Sequence, residues 1–149
     1  ADDTTLCLAE VSNIIGIKDA TGDLARARYL LDNRPDGFAI FSGDDPTAME
    51  LCLMGGDGDI SVTANVAPAL MSQMIAAAMS GDHDYATLLN DKLKLLHQCL
   101  FIEPNPIPSK WVLSQMGLIR PDCRLPLVPL TNEAIQLVID GCSNAGIVL

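Results

Sequence analysis

The stretch Asn13–Gly22, with the sequence NIIGIKDATG, decides which folds the rest of the chain can adopt. An apolar run, Ile14 to Ile17, leads into Lys18, and a short polar turn follows. β-Branched residues bounded by turn residues are typical of a strand that is buried on both faces. The sequence therefore predicts a buried strand, Ile14–Lys18, that delivers one amine at its C-terminal end.

Lys18 is a candidate catalytic residue because of where that amine would lie. Lysine is seldom fully buried, and a low-dielectric pocket disfavours the ammonium and lowers the pKa of the group. A neutral amine can attack a carbonyl and form an imine, which is Schiff-base catalysis. From these residues alone, a solvated lysine whose stem lies along apolar surface is the alternative, and the commoner one.

Composition narrows the class of protein. The chain has 149 residues, 49% of them hydrophobic, which is enough for one domain with a core. Nine Lys and Arg stand against nineteen Asp and Glu, and the net charge of -10 argues against a nucleic-acid or anionic-membrane partner. There is no signal segment and no apolar run long enough to span a bilayer, so we expect a cytoplasmic protein.

The pattern of potential ligands predicts neither a metal nor a cofactor. None of the five cysteines forms a CxxC pair, and all are expected to be small buried hydrophobes in a reducing compartment. His83 and His97 are too far apart for a helical metal pair. The glycine spacing matches neither GxGxxG nor GxxxxGK[ST], which argues against nucleotide binding.

Strand and helix patterns alternate between Asn13 and Gly81. Further short runs, Phe38–Phe41 and Asp59–Val62, are each followed by a turn and a helical pattern, which gives about three strand–helix units. Such alternation predicts a parallel sheet, in a doubly wound fold or as part of a (β/α) barrel. In both folds the strand ends share one edge, so Lys18 should meet the turns Ser42–Asp45 and Thr63–Asn65 there.

Two helix starts carry predicted N-cap residues. These are Asp2 and Asp3 for the first helix, and Asp45 for the helix that follows the second strand.

After Gly81 the sequence becomes helical. A helix over Asp82–Phe101 should bury one face, and three prolines should keep the segment from Glu103 to Pro108 extended. Helices are then predicted over Ser109–Met116 and from Thr131 to Asn144. The predicted inward residues of the first of these three helices are Tyr85, Leu88, Leu89, Leu93, Leu96 and Leu100. We expect two domains, a β/α part over residues 1–81 and a helical part over 82–149.

Four segments, in this order and separation, resemble the dihydrodipicolinate synthase family. They are NIIGIKDATG, FSGDD, GDISVTANVAP and FIEPNPIPSKW. This family belongs to the pyruvate-dependent aldolases that use a lysine. The resemblance covers essentially the whole chain but only the C-terminal half of the family's sequence.

The resemblance implies an α/β fold, the C-terminal part of a TIM (β/α)8 barrel with about three βα units, followed by an α-helical C-terminal domain. Lys18 matches the lysine that forms a Schiff base with pyruvate. Ile60 matches the strand-end residue whose backbone lies beside bound pyruvate. As a side chain, Ile60 should be core in a buried strand. Gly43 and Asp44 match the turn that lines the place of the second substrate. Asn105 matches a residue near the mouth of the site, in a supporting role.

The implied activity is the condensation of pyruvate with aspartate semialdehyde in lysine biosynthesis, by a homo-oligomer. Another pyruvate-dependent aldolase, such as N-acetylneuraminate lyase, is one alternative, and a non-catalytic remnant or assembly module is another. The family's proton-relay tyrosine, paired threonines and carboxylate-gripping arginine belong to its N-terminal half and have no counterpart here. A three-stranded sheet also leaves two unpaired edges. We therefore expect the chain alone to be inactive, and to pair with a complementary half or with itself.

Overall fold

The computed structural model describes residues 1–149, which form seven α-helices, three short strands and two 3₁₀ turns. The strands are β1 (Gly16–Asp19), β2 (Ala39–Ser42) and β3 (Gly58–Asp59), the 3₁₀ turns span Asp45–Thr47 and Thr63–Asn65, and the helices are α1 (Asp2–Ala9), α2 (Leu24–Asn33), α3 (Ala48–Leu53), α4 (Pro68–Met79), α5 (His83–Cys99), α6 (Ile107–Gln115) and α7 (Asn132–Asn144). None of these helices is both long enough and apolar enough to cross a membrane.

The three strands form one parallel sheet in the order β1-β2-β3. Lys18 lies opposite Phe41, and Ser42 lies opposite both Asp19 and Asp59. The backbone N–H of Ile60 donates to the Ser42 carbonyl at 2.9 Å, which continues the ladder past β3. The prediction of successive strand–helix units in a parallel sheet is thereby confirmed, and all three strands end at one edge.

The prediction that the first strand is buried on both faces is wrong. Ile17 and Ile40 face a cluster that contains Leu30 of α2, whereas Lys18 is exposed and Ile15 keeps 78% of its surface in solvent. Side chains alternate between the faces of a strand, and here only one face carries a helix layer. The core position predicted for Ile60 is wrong for the same reason, since its side chain is 49% exposed.

Helix starts depart from the sequence predictions at two places. Asp23 caps α2, with its carboxylate accepting from the Ala25 and Arg26 amides, but α1 is preceded by Ala1, so Asp2 and Asp3 are not its caps. Asp45 lies inside a 3₁₀ turn whose first flanking residue is Asp44, so its predicted role as N-cap is also wrong.

Contacts divide the chain into two compact units. The first comprises residues 1–61 and 74–87, and the second comprises 62–73 and 88–149. The first unit contains the sheet and the core cluster of Leu30, Phe38 and Ile40. A sequence-contiguous division into domains at 81/82 stays a prediction.

Helix α5 buries a stripe that is rotated from the predicted one. Four of the six predicted inward residues are buried, but Tyr85 and Leu88 are 43% and 54% exposed. The stripe begins instead at Ala86 and continues through Asn90 and His97, at helical spacing. His97 is a core histidine whose Nδ1 lies 2.8 Å from the buried Thr63 hydroxyl.

The proline-rich segment becomes helical earlier than predicted. Helix α6 begins at Ile107 and includes Pro108, because proline is tolerated in the first helical turn, where no amide partner is needed. The last helix begins after Thr131, as predicted.

Of the five cysteines, Cys52, Cys99 and Cys142 are buried as expected, but Cys7 is exposed and Cys123 is partly exposed.

Candidate active site

Lys18 lies against Gly43, at the edge where β1 and β2 end. A Cβ built on Gly43 would clash with Cε of Lys18 and stand 2.9 Å from its Cγ. Gly43 has no positive φ, so glycine is required here by the close approach of the lysine and not by backbone strain. The backbone N–H of Gly43 donates to the Asp19 carbonyl at 2.8 Å, which fixes the turn beside β1.

The end of β1 is anchored by the buried carboxylate of Asp19. It accepts from the Thr21 amide at 3.0 Å and from Nε of Arg26 at 2.8 Å. The same guanidinium also pairs with Asp2 and reaches the Thr5 hydroxyl. A single side chain of α2 therefore holds α1 and the end of β1 together.

Asp44 is oriented by its own turn. Its carboxylate accepts from the Thr47 hydroxyl at 2.7 Å, and its amide donates to the Ser42 hydroxyl at 3.1 Å. A Cβ on Gly22, in the loop after β1, would stand 3.1 Å from the Asp44 carboxylate. Asp44 thus lies between the loops that follow β1 and β2, and its oxygens are already positioned.

Two buried carboxyl groups, those of Asp45 and Asp59, lie near the ends of β2 and β3. Asp45 is 1% exposed, and both carboxylate oxygens of Asp59 are closed to solvent and make no hydrogen bond. Asp59 was not among the predicted site residues. An acid at the start of the third apolar run was the signal that could have found it.

The electrostatics of the pair follow from its burial. Burial raises the pKa of Asp59 to about 7, the charge of Asp45 adds to the rise, and the charge of Lys18 opposes it. The charge of Asp44 contributes a smaller rise in the same pKa. Burial raises the pKa of Cys52, on α3, to about 11, with the charge of Asp59 as the next cause. Asp59 therefore titrates near neutral pH.

The structure places the other predicted site residues as follows. The backbone of Ile60 continues β3 at the edge where Lys18 lies. Asn105 is exposed, precedes α6 and belongs to the second compact unit. Its approach to Lys18, and that of the turn Thr63–Asn65, stay predictions. No group of three or more His, Cys, Asp or Glu side chains could hold a metal ion.

Comparison with known proteins gives the same family that the four sequence segments resemble, and the matches extend over nearly the whole chain. A sequence model of the Dihydrodipicolinate synthetase family matches residues 2–143. The chain belongs to this family. A 4-hydroxy-tetrahydrodipicolinate synthase of Nitrosospira multiformis is 56% identical over 147 residues, and that of Thioalkalivibrio sulfidiphilus is 55% identical over 148. Each match covers 99% of this chain, and the chain spans about half of these relatives, 49% and 50%.

Solved structures of the family share the fold. A dihydrodipicolinate synthase of Acinetobacter baumannii, crystallised with pyruvate, is 49% identical and superposes with a TM-score of 0.96, over 99% of this chain and 51% of that one. The enzyme of Thermotoga maritima is 34% identical, with a TM-score of 0.94 over 99% and 51%. The predicted fold, part of a TIM barrel followed by helices, is confirmed, as is the match to the C-terminal half of the dihydrodipicolinate synthetase family.

Proposed function

We propose that this chain is the C-terminal part of a 4-hydroxy-tetrahydrodipicolinate synthase, in which Lys18 forms a Schiff base with pyruvate. The observation that carries the proposal is the position of Lys18, at the carboxyl end of β1 and against Gly43 at the end of β2. Functional groups of (β/α) barrels lie at this edge of the sheet. The relatives reported above are synthases, and nothing comparable favours an N-acetylneuraminate lyase.

The chemistry begins with the neutral amine of Lys18, which attacks the keto carbon of pyruvate and loses water to form an imine. The protonated imine accepts electrons, so a proton leaves the methyl group and an enamine forms. The enamine carbon then attacks the aldehyde carbon of aspartate semialdehyde. The adduct's own amine displaces Lys18 as the ring closes, and the lysine is regenerated.

The remaining site residues have positioning roles in this proposal. The backbone of Ile60 borders bound pyruvate, whereas Gly43 and Asp44 line the place of aspartate semialdehyde. Asp44 suits this role because its turn fixes the carboxylate before any substrate arrives. Asn105 supports the mouth of the site. No metal or cofactor takes part in these steps.

Turnover requires groups that this chain does not supply. A TIM barrel has eight strands and this sheet has three, with Lys18 on its open face. A complementary N-terminal half, within a homo-oligomer, would cover that face and add the proton relay. A relay of this kind accelerates such steps about 10²–10⁴-fold. We therefore expect the 149-residue chain alone to be inactive, and a cytoplasmic location stays a prediction.

Covalent trapping tests the role of Lys18. The chain is mixed with the N-terminal half of the Nitrosospira multiformis relative, then incubated with pyruvate and borohydride and digested for mass spectrometry. We expect a reduced pyruvyl adduct on the peptide that contains Lys18, and none on peptides that contain Lys92 or Lys94. A Lys18→Arg variant is the matched control. A folded mixture that gives no adduct at Lys18 would overturn the proposal, and turnover by the chain alone would contradict the need for a partner half.

A further inference from the structure

Lys18 is flanked in the chain by two residues that are held on the opposite face of the sheet. Successive side chains of a strand alternate between its faces, so Ile17 and Asp19 share the face that carries α2. Ile17 packs against the core cluster of the first unit, and the side chain of Asp19 is only 5% exposed. The amine of Lys18 is therefore carried by a backbone segment that is anchored on both sides.

The carbonyl and the carboxylate of Asp19 are both bound at the end of β1. The carbonyl accepts from the Gly43 amide at 2.8 Å, and Gly43 is the residue against which the stem of Lys18 lies. One carboxylate oxygen accepts from the Thr21 amide at 3.0 Å, and the other accepts from Nε of Arg26 at 2.8 Å. Asp19 thus fixes the turn beside the lysine as well as the loop that follows it.

The guanidinium of Arg26 makes this arrangement possible. A carboxylate as buried as that of Asp19 is unfavourable unless it is paired and hydrogen-bonded. Arg26 also pairs with Asp2 and donates to the Thr5 hydroxyl at 3.4 Å, so contacts with α1 hold the guanidinium in place. Its three nitrogens serve three partners in a fixed planar geometry, which the ammonium group of a lysine could not reproduce.

We propose that Asp19 is a positioning residue for Lys18, whose amine it holds, through Gly43 and Arg26, in the orientation that imine formation needs. This inference rests on the proposed function of Lys18. Attack on the keto carbon of pyruvate requires an amine at near-contact distance and in a defined direction, and a small misplacement slows such a step strongly. Asp19 does not touch the substrate and acts through the backbone of the strand end.

Two substitutions of Asp19 remove its contacts in steps. Asp19→Asn removes the charge that Arg26 pairs with but keeps an oxygen that can accept from the Thr21 amide. We expect it to lower the maximal rate of imine trapping by about tenfold. The pyruvate concentration that gives half of the maximal rate should change by less than about twofold, because Asp19 does not bind pyruvate. Asp19→Ala removes both contacts and should lower the maximal rate further.

Arg34→Met is the control for an ordinary loss of stability. Arg34 is 23% exposed, close to the 17% of Arg26, and it pairs with Asp57. These two residues precede β2 and β3, so their contact lies at the edge of the sheet opposite to Lys18. Removing this ion pair should therefore leave the maximal trapping rate unchanged.

The test measures borohydride trapping against pyruvate concentration, with the complementary half present and at a temperature where each variant is folded by its thermal unfolding curve. A maximal rate for Asp19→Asn equal to that of the wild type, or an equal loss of rate in Arg34→Met, overturns the inference. Arg26→Lys is the second variant if the Asp19 variants do not fold. It keeps the charge but loses the planar fork, and it should lower the maximal rate in the same way.

Hydrogen exchange of the 149-residue chain separates this inference from the proposed function. The Gly43 amide should exchange about tenfold faster in Asp19→Asn than in the wild type, because its acceptor is the Asp19 carbonyl. The internal control is the Met54 amide, which donates to the Glu50 carbonyl at 3.0 Å. Unchanged exchange at Gly43 overturns the inference. If the wild type gives no pyruvate adduct, the function of Lys18 fails, and exchange at Gly43 still decides whether Asp19 holds the turn beside it.

Discussion

At Gly43, the place that a methyl group would occupy is already filled by the stem of Lys18. A Gly43→Ala change would also bring the new methyl group to 3.0 Å from Cβ of Ala20. Because the end of the lysine is flexible, we expect it to move aside, with a loss of about 1 kcal/mol in the free energy of unfolding. The displaced amine should form the pyruvate imine about tenfold or more slowly, since misplacement of a reacting group strongly slows a reaction.

The test measures two quantities in the same preparation. One is the rate at which borohydride traps the pyruvate imine, and the other is the thermal unfolding temperature. Ala25→Ser, on the exposed side of α2, adds one heavy atom away from the site and should leave the trapping rate unchanged. A Gly43→Ala protein that traps pyruvate at the wild-type rate would show that contact with Gly43 does not position the lysine.

The buried acid Asp59 should make stability depend on pH. Its pKa is about 7 in the folded protein against 3.8 for an ordinary aspartate, so the folded state holds more protons between these values. The contribution of this group to the free energy of unfolding therefore falls as pH rises from about 4 to 7. We expect Asp59→Asn to match the wild type near pH 4 and to be the more stable protein at pH 8. Urea unfolding across this range measures the difference, and a constant difference would contradict the prediction.

At the residue scale, the sequence located Lys18 and its neighbour Gly43 because each follows an apolar run that ends in a turn. Asp59 could not be located in this way. Its raised pKa depends on burial and on the charge of Asp45, fourteen positions earlier in the chain, and sequence periodicity carries no information about either. The cap role assigned to Asp45 was the commoner use of an aspartate before Pro46, and burial overrode it.

At the element scale, the side chain of Arg26 joins α1, β1 and α2. Its guanidinium is 17% exposed and bonded to Asp19, which is 5% exposed. Breaking a buried ion pair by removing one partner costs about 3–5 kcal/mol, because the other charge stays buried. We expect Arg26→Met to lower the free energy of unfolding by about 3 kcal/mol, measured by urea denaturation.

Arg28→Met is the matched control on the same helix. Arg28 pairs with Asp32 at 3.5 Å, and both side chains are about half exposed. Pairs of this kind contribute about 0.3–0.5 kcal/mol. Equal losses in the two variants would show that the Asp19–Arg26 contact does not hold these elements together.

Element types were predictable, but their solvent exposure was not. Alternating apolar runs and helical patterns marked a parallel sheet. Burial of β1 on both faces was inferred from Ile14, Ile15 and Ile17, and that inference assumed a helix or strand layer on each side. The apolar pattern is present, yet this chain covers one face of the sheet only.

At the scale of the whole molecule, the charge is distributed unevenly. The first compact unit contains fourteen acidic and four basic residues, whereas the second contains five of each. The net charge of -10 therefore belongs entirely to the unit with Lys18. An anionic keto acid must approach against this field, so capture of pyruvate should accelerate as ionic strength rises from about 0.01 to 0.15 M.

The open edge of β1 gives the last prediction. The carbonyls of Ile15 and Asp19 accept hydrogen bonds from amides at the two ends of β2. Successive residues of a strand point their backbone groups to opposite sides, so the amides of Gly16 and Lys18 face the unpaired side. An unpaired edge is a template for another strand. Addition of the N-terminal half of the Nitrosospira multiformis relative should pair this edge and slow hydrogen exchange at both amides by about tenfold or more. Amides in the middle of α7 serve as the internal control, since their helix bonds are already made. Unchanged exchange at Gly16 and Lys18, in a mixture that forms a complex, would mean that the two halves do not complete one barrel through β1.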